Sequence, residues 1–348
     1  MNRALKVVVA AVAVVVVVVA GAYVWSGQAA DARLARTWPA VVGKDLPVPF
    51  PLSEAEVEAL RAEAAAPIDA GESAPDGASA GEEGGDEPVA PAPVDVAAVA
   101  MERAVARGAH LFDVRLACAE CHGADLGGRM IVDAQPVWTW YAPNISPGGV
   151  TKEYTSADWD RIIRHGVKSD DTSATMPAID YMALSDREVS DVIAYARSVA
   201  PQDGVQPPTV LGPVGRMLIA TGKMPIAAEL IDHTAETVEA PPAVAVDAEY
   251  GGHIAQPCVG CHRLQFEGGP IAAGPPDWPP AANLTRAGDL KDWSEEDFLK
   301  ALRTGERPDG SVLNPQAMPW PVLSKMSDLE LRAIWSYLVT LDPVPTGT

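Results

Sequence analysis

The sequence predicts an all-α protein: two tandem copies of one small helical unit, set behind an apolar N-terminal helix and an acidic linker. Three observations predict it. The pentapeptide Cys-x-x-Cys-His occurs twice, as Cys118–His122 and Cys258–His262, and uses all four cysteines. Further landmarks repeat at a nearly constant offset. Cys118 recurs as Cys258 at an offset of 140, Asn144-Ile145-Ser146 as Asn283-Leu284-Thr285 at 139, and Met176-Pro177 as Met318-Pro319 at 142. Apolar side chains recur at helical spacing behind Ser or Thr start signals.

Residues 7–25 carry no charge. At about 1.5 Å per residue, a helix of that length reaches roughly the 30 Å of a hydrocarbon core. Arg3 and Lys6 precede it, which places the N-terminus in the cytoplasm and the rest outside; Tyr23 and Trp25 suit the far interface. Small residues at Ala20-Gly21-Ala22 leave a cleaved signal peptide as the competing reading, but the length of the apolar run favours a retained anchor. Leu46 to Pro51 reads as an extended strut, and Ser53 to Ala64 as a helix with a Ser53 cap. From Ala65 to Pro93 the chain is almost entirely Ala, Pro, Gly, Ser, Asp and Glu. Such a segment buries too little surface to offset its ordering entropy, so a disordered linker is expected, with the body tethered rather than fixed.

Each repeat opens on a short helix containing a glycine, Gly108 in one and Gly251 or Gly252 in the other. That glycine either permits a close helix crossing or ends a turn. Thr155-x-x-Asp158 and Ser294-x-x-Asp297 then start a middle helix, on which Trp159, Ile162, Ile163 and Gly166 answer to Phe298, Ala301, Leu302 and Gly305. Ser185 with Glu188, and Ser327 with Glu330, start the last helices. Their apolar faces run Val189, Val192, Ile193, Ala196 and Leu331, Ile334, Trp335, Leu338, with Pro201 and Pro343 beyond the ends. The expected segments are 1–25 (anchor), 26–97 (strut and linker), 98–203 (first unit), 204–244 (connection) and 245–346 (second unit).

Cys-x-x-Cys-His is the attachment signature of c-type haem. Two thiols one helical turn apart add to the vinyl groups of one porphyrin, and the adjacent histidine lies beneath the iron. Cys118, Cys121, Cys258 and Cys261 are thus candidate attachment residues, and His122 and His262 candidate axial ligands. A zinc site or a pair of disulfides competes, but zinc would have to bring together cysteine pairs that lie far apart in the chain, and neither option needs the histidines. For the opposite axial position the sequence offers Met176 and Met318, each stiffened by a following proline. Met182 and Met326 compete, but their offset of 144 does not match the repeat. His165 reads as a helix-end side chain, with iron ligation in place of methionine as the alternative. His110, His233 and His253 show no counterpart pattern and read as packing or surface groups. Asn144 and Asn283 serve either a turn or the haem edge, and Trp159 reads as core. The formal net charge of -21 excludes nucleic acid as a partner class and favours redox proteins with basic docking surfaces.

With these residues in place, each unit resembles a class I cytochrome c domain. From about Leu34 onward the chain resembles exported, membrane-anchored dihaem cytochromes c, which are similar to the cytochrome subunits of membrane-bound alcohol and gluconate dehydrogenases. The matching pieces are Arg107-Gly108-x-His110-Leu111, both pentapeptides with Gly127-Gly128 and Gly268-Gly269, Asn144 and Asn283 with their neighbours, and Met176, Met318, Ser185-Asp186 and Ser327-Asp328. The acidic insert departs from that pattern, and those subunits carry a third haem domain where this sequence has two. The resemblance implies two covalently bound haem c groups with His/Met ligation, and an electron carrier or electron-transfer subunit rather than an enzyme. It places that carrier on the cytoplasmic membrane, with its haem domains on the periplasmic side, between a donor dehydrogenase or respiratory complex and a downstream acceptor. A haem enzyme of the dihaem peroxidase or thiosulfate dehydrogenase type is the rival class, since it also pairs two such domains; it requires one open or unusually ligated iron.

Overall fold

The computed structural model describes residues 3–65, 94–271, 274–275 and 278–347. The linker expected over 65–93 lies, from residue 66 on, outside the described residues.

Helix α1 (Arg3–Leu34) runs unbroken for 32 residues and is long and apolar enough to cross a membrane by length and composition. Its valine-rich part is exposed, but its last turns are not free. Ser26 and Ala30 are buried, Arg33 pairs with Glu229, and Arg216 pairs with Asp31 at 2.7 Å. The strut that follows lies on the body of the protein. Lys44 N–H donates to Asp160 Oδ2 at 2.7 Å, Leu46 N–H to Ser156 Oγ at 2.9 Å, and Ser190 Oγ–H to the Pro47 carbonyl at 2.6 Å. Helix α2 (Glu54–Ala65) is held by the Arg187–Glu56 pair at 3.0 Å. The expectation of a tethered body is therefore corrected. Val41 and Leu46 supply apolar burial and the strut's N–H groups find acceptors, so the N-terminal segment docks before the linker begins.

The first unit contains α3 (Val96–His110), a π-helical turn at Leu111–Arg115, α4 (Cys118–His122), strands β1 (Arg129–Ala134) and β2 (Trp138–Ala142), α5 (Ser156–His165) and α6 (Asp186–Ser198). Strand β3 (Val210–Leu211), α7 (Pro213–Ala220) and α8 (Ala227–Leu230) form the connection. The second unit contains α9 (Ala248–Ile254), α10 (Val259–His262), α11 (Glu295–Thr304), α12 (Trp320–Leu323) and α13 (Asp328–Leu338). The protein is mostly helical, as its sequence predicts, with one addition. β1, β2 and β3 form a three-stranded antiparallel sheet in that order, inserted between Gly128 and Asn144 and closed by the connection. All four expected capping boxes form, at Thr155/Asp158, Ser185/Glu188, Ser294/Asp297 and Ser327/Glu330.

In each unit the first helix crosses the last, α3 on α6 and α9 on α13. The two glycines make the crossing possible. A Cβ at Gly108 would lie 2.0 Å from the Asp191 carbonyl oxygen, and one at Gly251 would lie 1.8 Å from that of Ala333. The crossing is locked by Arg107, which donates to both oxygens of Asp191 at 2.6 and 2.8 Å. Gly108→Ala must push two backbones apart and is expected to cost about 1–3 kcal/mol. Urea unfolding measures it, and an unchanged midpoint would refute the close crossing.

The two units meet through reciprocal contacts. His110 at the end of α3 bonds Glu330 of α13 at 2.8 Å, and His253 of α9 bonds Glu188 of α6 at 2.7 Å. The two histidines are related by an offset of 143 and the two glutamates by 142, so the unpatterned reading of His110 and His253 is corrected: they are counterparts in one interface. Burial alone would raise the Glu188 carboxyl, but His253, Arg115 and the Ser185 N–H outweigh it and hold it at about 2. The turn after each Met-Pro packs against the segment leading into the other unit's pentapeptide: Ala178–Asp180 on Gln256–Cys258, and α12 on Leu111–Arg115. Val114 of the first unit accordingly belongs to the second unit's apolar cluster, beside Ile254, Phe266 and Leu331.

Candidate haem sites

The first pentapeptide forms a single helical turn, α4, and in the second Cys258 caps the turn α10; in each the two thiols are three residues apart and share a face. The histidine closing each turn is oriented in the same way. His122 Nδ1–H donates to the Pro143 carbonyl at 3.0 Å, and His262 Nδ1–H donates to the Ala282 carbonyl at 2.7 Å. With Nδ1 committed, Nε2 carries the lone pair, the form that ligates a metal. Burial pulls both imidazoles below their ordinary pKa against those carbonyl bonds, which keeps them neutral.

The four thiols form no disulfide. Burial pushes Cys118 and Cys258 up to about 12 and Cys261 up to about 11, and raises Cys121. Among the described residues, no group of three or more Cys, His, Asp or Glu is arranged to hold a metal ion.

A cavity of about 1190 Å³ opens beside the second turn, walled by Ile254, Phe298, Leu302, Ile334 and Leu338. Cys258, Cys261, His262 and Met318 all face it, and so does Met326. The cavity continues to the first unit, where Cys121, Glu120 and Tyr181 line it, together with Val132 and Trp138 of the sheet. An apolar space of this size, lined by paired thiols and an imidazole, fits a porphyrin. In the first unit Met176 is half-buried beside Pro177 and does not line this cavity.

Other expected residues fall in simpler places. Asn144 and Asn283 are buried turn residues: their Nδ2 groups donate to the Gln202 and Val344 carbonyls, and their Oδ1 atoms accept from Ser146 and Thr285. Trp159 is core. His165 Nδ1–H donates to His233 Nδ1 at 3.2 Å, and His233 Nε2–H donates to the Ala228 carbonyl at 2.9 Å. Sequence reasoning missed Asp180 and Tyr181, which stand between the two pentapeptides. The available signal was Gly260, where the first copy has Glu120.

Residues 103–195 match the family model described as cytochrome c oxidase, cbb3-type, subunit III, and residues 248–342 match the one described as cytochrome c. The chain carries two cytochrome c domains. Such domains imply haem c, in agreement with the thiols, imidazoles and cavity above. The chain is also 26% identical over 280 residues to the fructose dehydrogenase cytochrome subunit of Gluconobacter japonicus, covering 72% of this chain and 54% of that protein. It is 28% identical over 271 residues to the alcohol dehydrogenase (quinone) cytochrome c subunit of Gluconacetobacter polyoxogenes, covering 66% and 54%. A shorter match of 89 residues, 35% identical, joins it to the gluconate 2-dehydrogenase cytochrome c subunit of Pantoea cypripedii, covering 24% and 20%. The chain spans about half the length of the first two relatives. These relatives are cytochrome subunits of dehydrogenases, not their catalytic subunits.

Proposed function

We propose that the chain is an electron-transfer subunit or carrier with two covalently attached haem c groups, relaying electrons by outer-sphere transfer from a donor dehydrogenase or respiratory complex to a downstream acceptor. The observation that carries this reading is the reciprocal interface, which sets Cys121 of the first pentapeptide on the same cavity as Cys258, Cys261 and His262 of the second. Bound haem supplies reversible one-electron storage at its iron. The chain's own residues do the rest. Cys118 and Cys121, with Cys258 and Cys261, would fix the two porphyrins, and His122 and His262, with Met176 and Met318, would hold the irons through imidazole nitrogen and thioether sulfur. If these residues supply every iron ligand that the porphyrin does not, no position would be left for a substrate. The apolar walls exclude water, and held ligands keep reorganisation small.

Helix α1 anchors this body to the cytoplasmic membrane, with the haem domains on the periplasmic side, and its docked end fixes the body at the bilayer surface. Acidic surface steers encounters with basic partners. Absorption and magnetic spectra of Met176→Ala and Met318→Ala test the reading. Each substitution should abolish one thioether–iron signature and leave covalent haem content unchanged. A wild-type centre that is already five-coordinate and binds cyanide readily would point to the haem-enzyme class instead.

A further inference from the structure

Asp180 belongs to the first cytochrome c domain but sits against the second domain's attachment turn. The turn Ala178–Asp180 packs on both Gln256–Cys258 and α10. A Cβ at residue 260 would lie 2.1 Å from Asp180 Oδ1 and 2.7 Å from Oδ2, so a side chain here would displace the carboxylate from this place. Asp180 Oδ1 is buried without a hydrogen-bond partner in the protein. The charge also acts on the attachment thiols, raising both Cys258 and Cys261 beyond the larger effect of their burial. The side chain lines the same cavity as Cys258, Cys261 and His262. Its neighbour Tyr181 turns the other way, towards the first domain's thiols, and its Oη–H donates to the Leu116 carbonyl at 3.3 Å.

We propose that Asp180 is a positioning residue for charge: a carboxylate lent by the first domain that lowers the reduction potential of the second domain's haem and so sets the electron distribution between the two sites. A buried carboxylate is costly unless it is paired. Here the protein leaves one oxygen unpaired and aims it at a site whose net charge becomes more positive on oxidation. Negative charge there favours the ferric over the ferrous state. The matching position in the second domain, at the same offset as the two Met-Pro pairs, is Val322, so this particular carboxylate has no reciprocal counterpart; the first domain's thiols instead feel its own Asp113 and Glu120.

The inference rests on the two-haem reading above, and its test separates the two. Asp180→Asn keeps the shape and removes the charge; Tyr181→Phe is the neutral neighbour control. Met318→His labels the second haem by lowering its potential. Burial pushes the Asp180 carboxyl up to about 7 against the opposing Gly260 N–H, so potentials are read by spectroelectrochemical titration at about pH 8. In the labelled chain, Asp180→Asn should raise the potential of the labelled haem, changing the electron distribution between the haems about tenfold, and leave the first haem in place. Tyr181→Phe should move neither. Equal movement of both haems, movement of neither, or the same shift from Tyr181→Phe overturns the inference. Failure of the two-haem reading shows beforehand, as missing covalent haem or an open iron in the wild-type spectrum.

Discussion

Replacing Cys258 and Cys261 together by alanine is expected to remove about half of the covalently bound haem and to unfold the second domain. The reason lies in what surrounds α10. Ile254, Phe298, Leu302, Ile334 and Leu338 are buried side chains of the second domain's apolar cluster, and they also wall a space of about 1190 Å³. A protein interior tolerates dry voids of about 150 Å³ at real cost, and a space this large has to be filled or collapse. Filling it couples binding to folding, as for a structural metal. The expected loss is on the order of 5 kcal/mol, at the upper end for the emptying of a core. Haem-stained gels and thermal melts measure it. Full staining together with an unshifted melt would show that the cavity is not the second haem site.

Arg164→Ala should be nearly as damaging, far from either pentapeptide. Arg164 is 1% exposed and lies between Asp160, also 1% exposed, and Asp186, 2% exposed. It pairs with Asp160, donates to Asp186 Oδ1 at 2.9 Å and donates to the Leu184 carbonyl at 3.1 Å. Removing the guanidinium leaves two buried carboxylates facing each other, which costs about 3–5 kcal/mol. Lys44, from the strut, also pairs with Asp186 but is 52% exposed, so Lys44→Ala should cost about 1 kcal/mol or less. Burial would raise the Asp186 carboxyl, but Lys44, Arg164 and Thr237 outweigh it and hold it below its ordinary value. Its contribution is therefore complete above the unfolded pKa of about 3.9 and is lost as pH falls through the lower folded value. Urea midpoints of the two variants at neutral pH decide the matter; equal small shifts would refute the buried-triad account.

The features legible in the sequence are those written in local or repeated code. The pentapeptides, the four capping boxes and the glycines at the helix crossings each need only a few adjacent residues or a second copy at the same offset. What escaped depends on distant pairings. The strand pairing between 129 and 142 lies in a stretch with no counterpart in the second unit, so the repeat was silent there. The docking of the strut rests on single hydrogen bonds to residues more than 100 positions away. Arg164 resembled any charged residue near the end of a helix. Asp180 carried no mark of its own. Only the missing side chain at Gly260 pointed to it, and that becomes informative once the two domains are seen to touch.

The matched pairs, His110 with Glu330 and His253 with Glu188, have the arrangement of an isologous dimer: each half offers the same two groups and receives the same two in return. The covalent order of the halves is thus immaterial to that contact. Two separate copies of a single ancestral unit would have clasped each other in the same handshake, and the connection from 204 to 244 fastens one end of a pairing that the surfaces themselves specify.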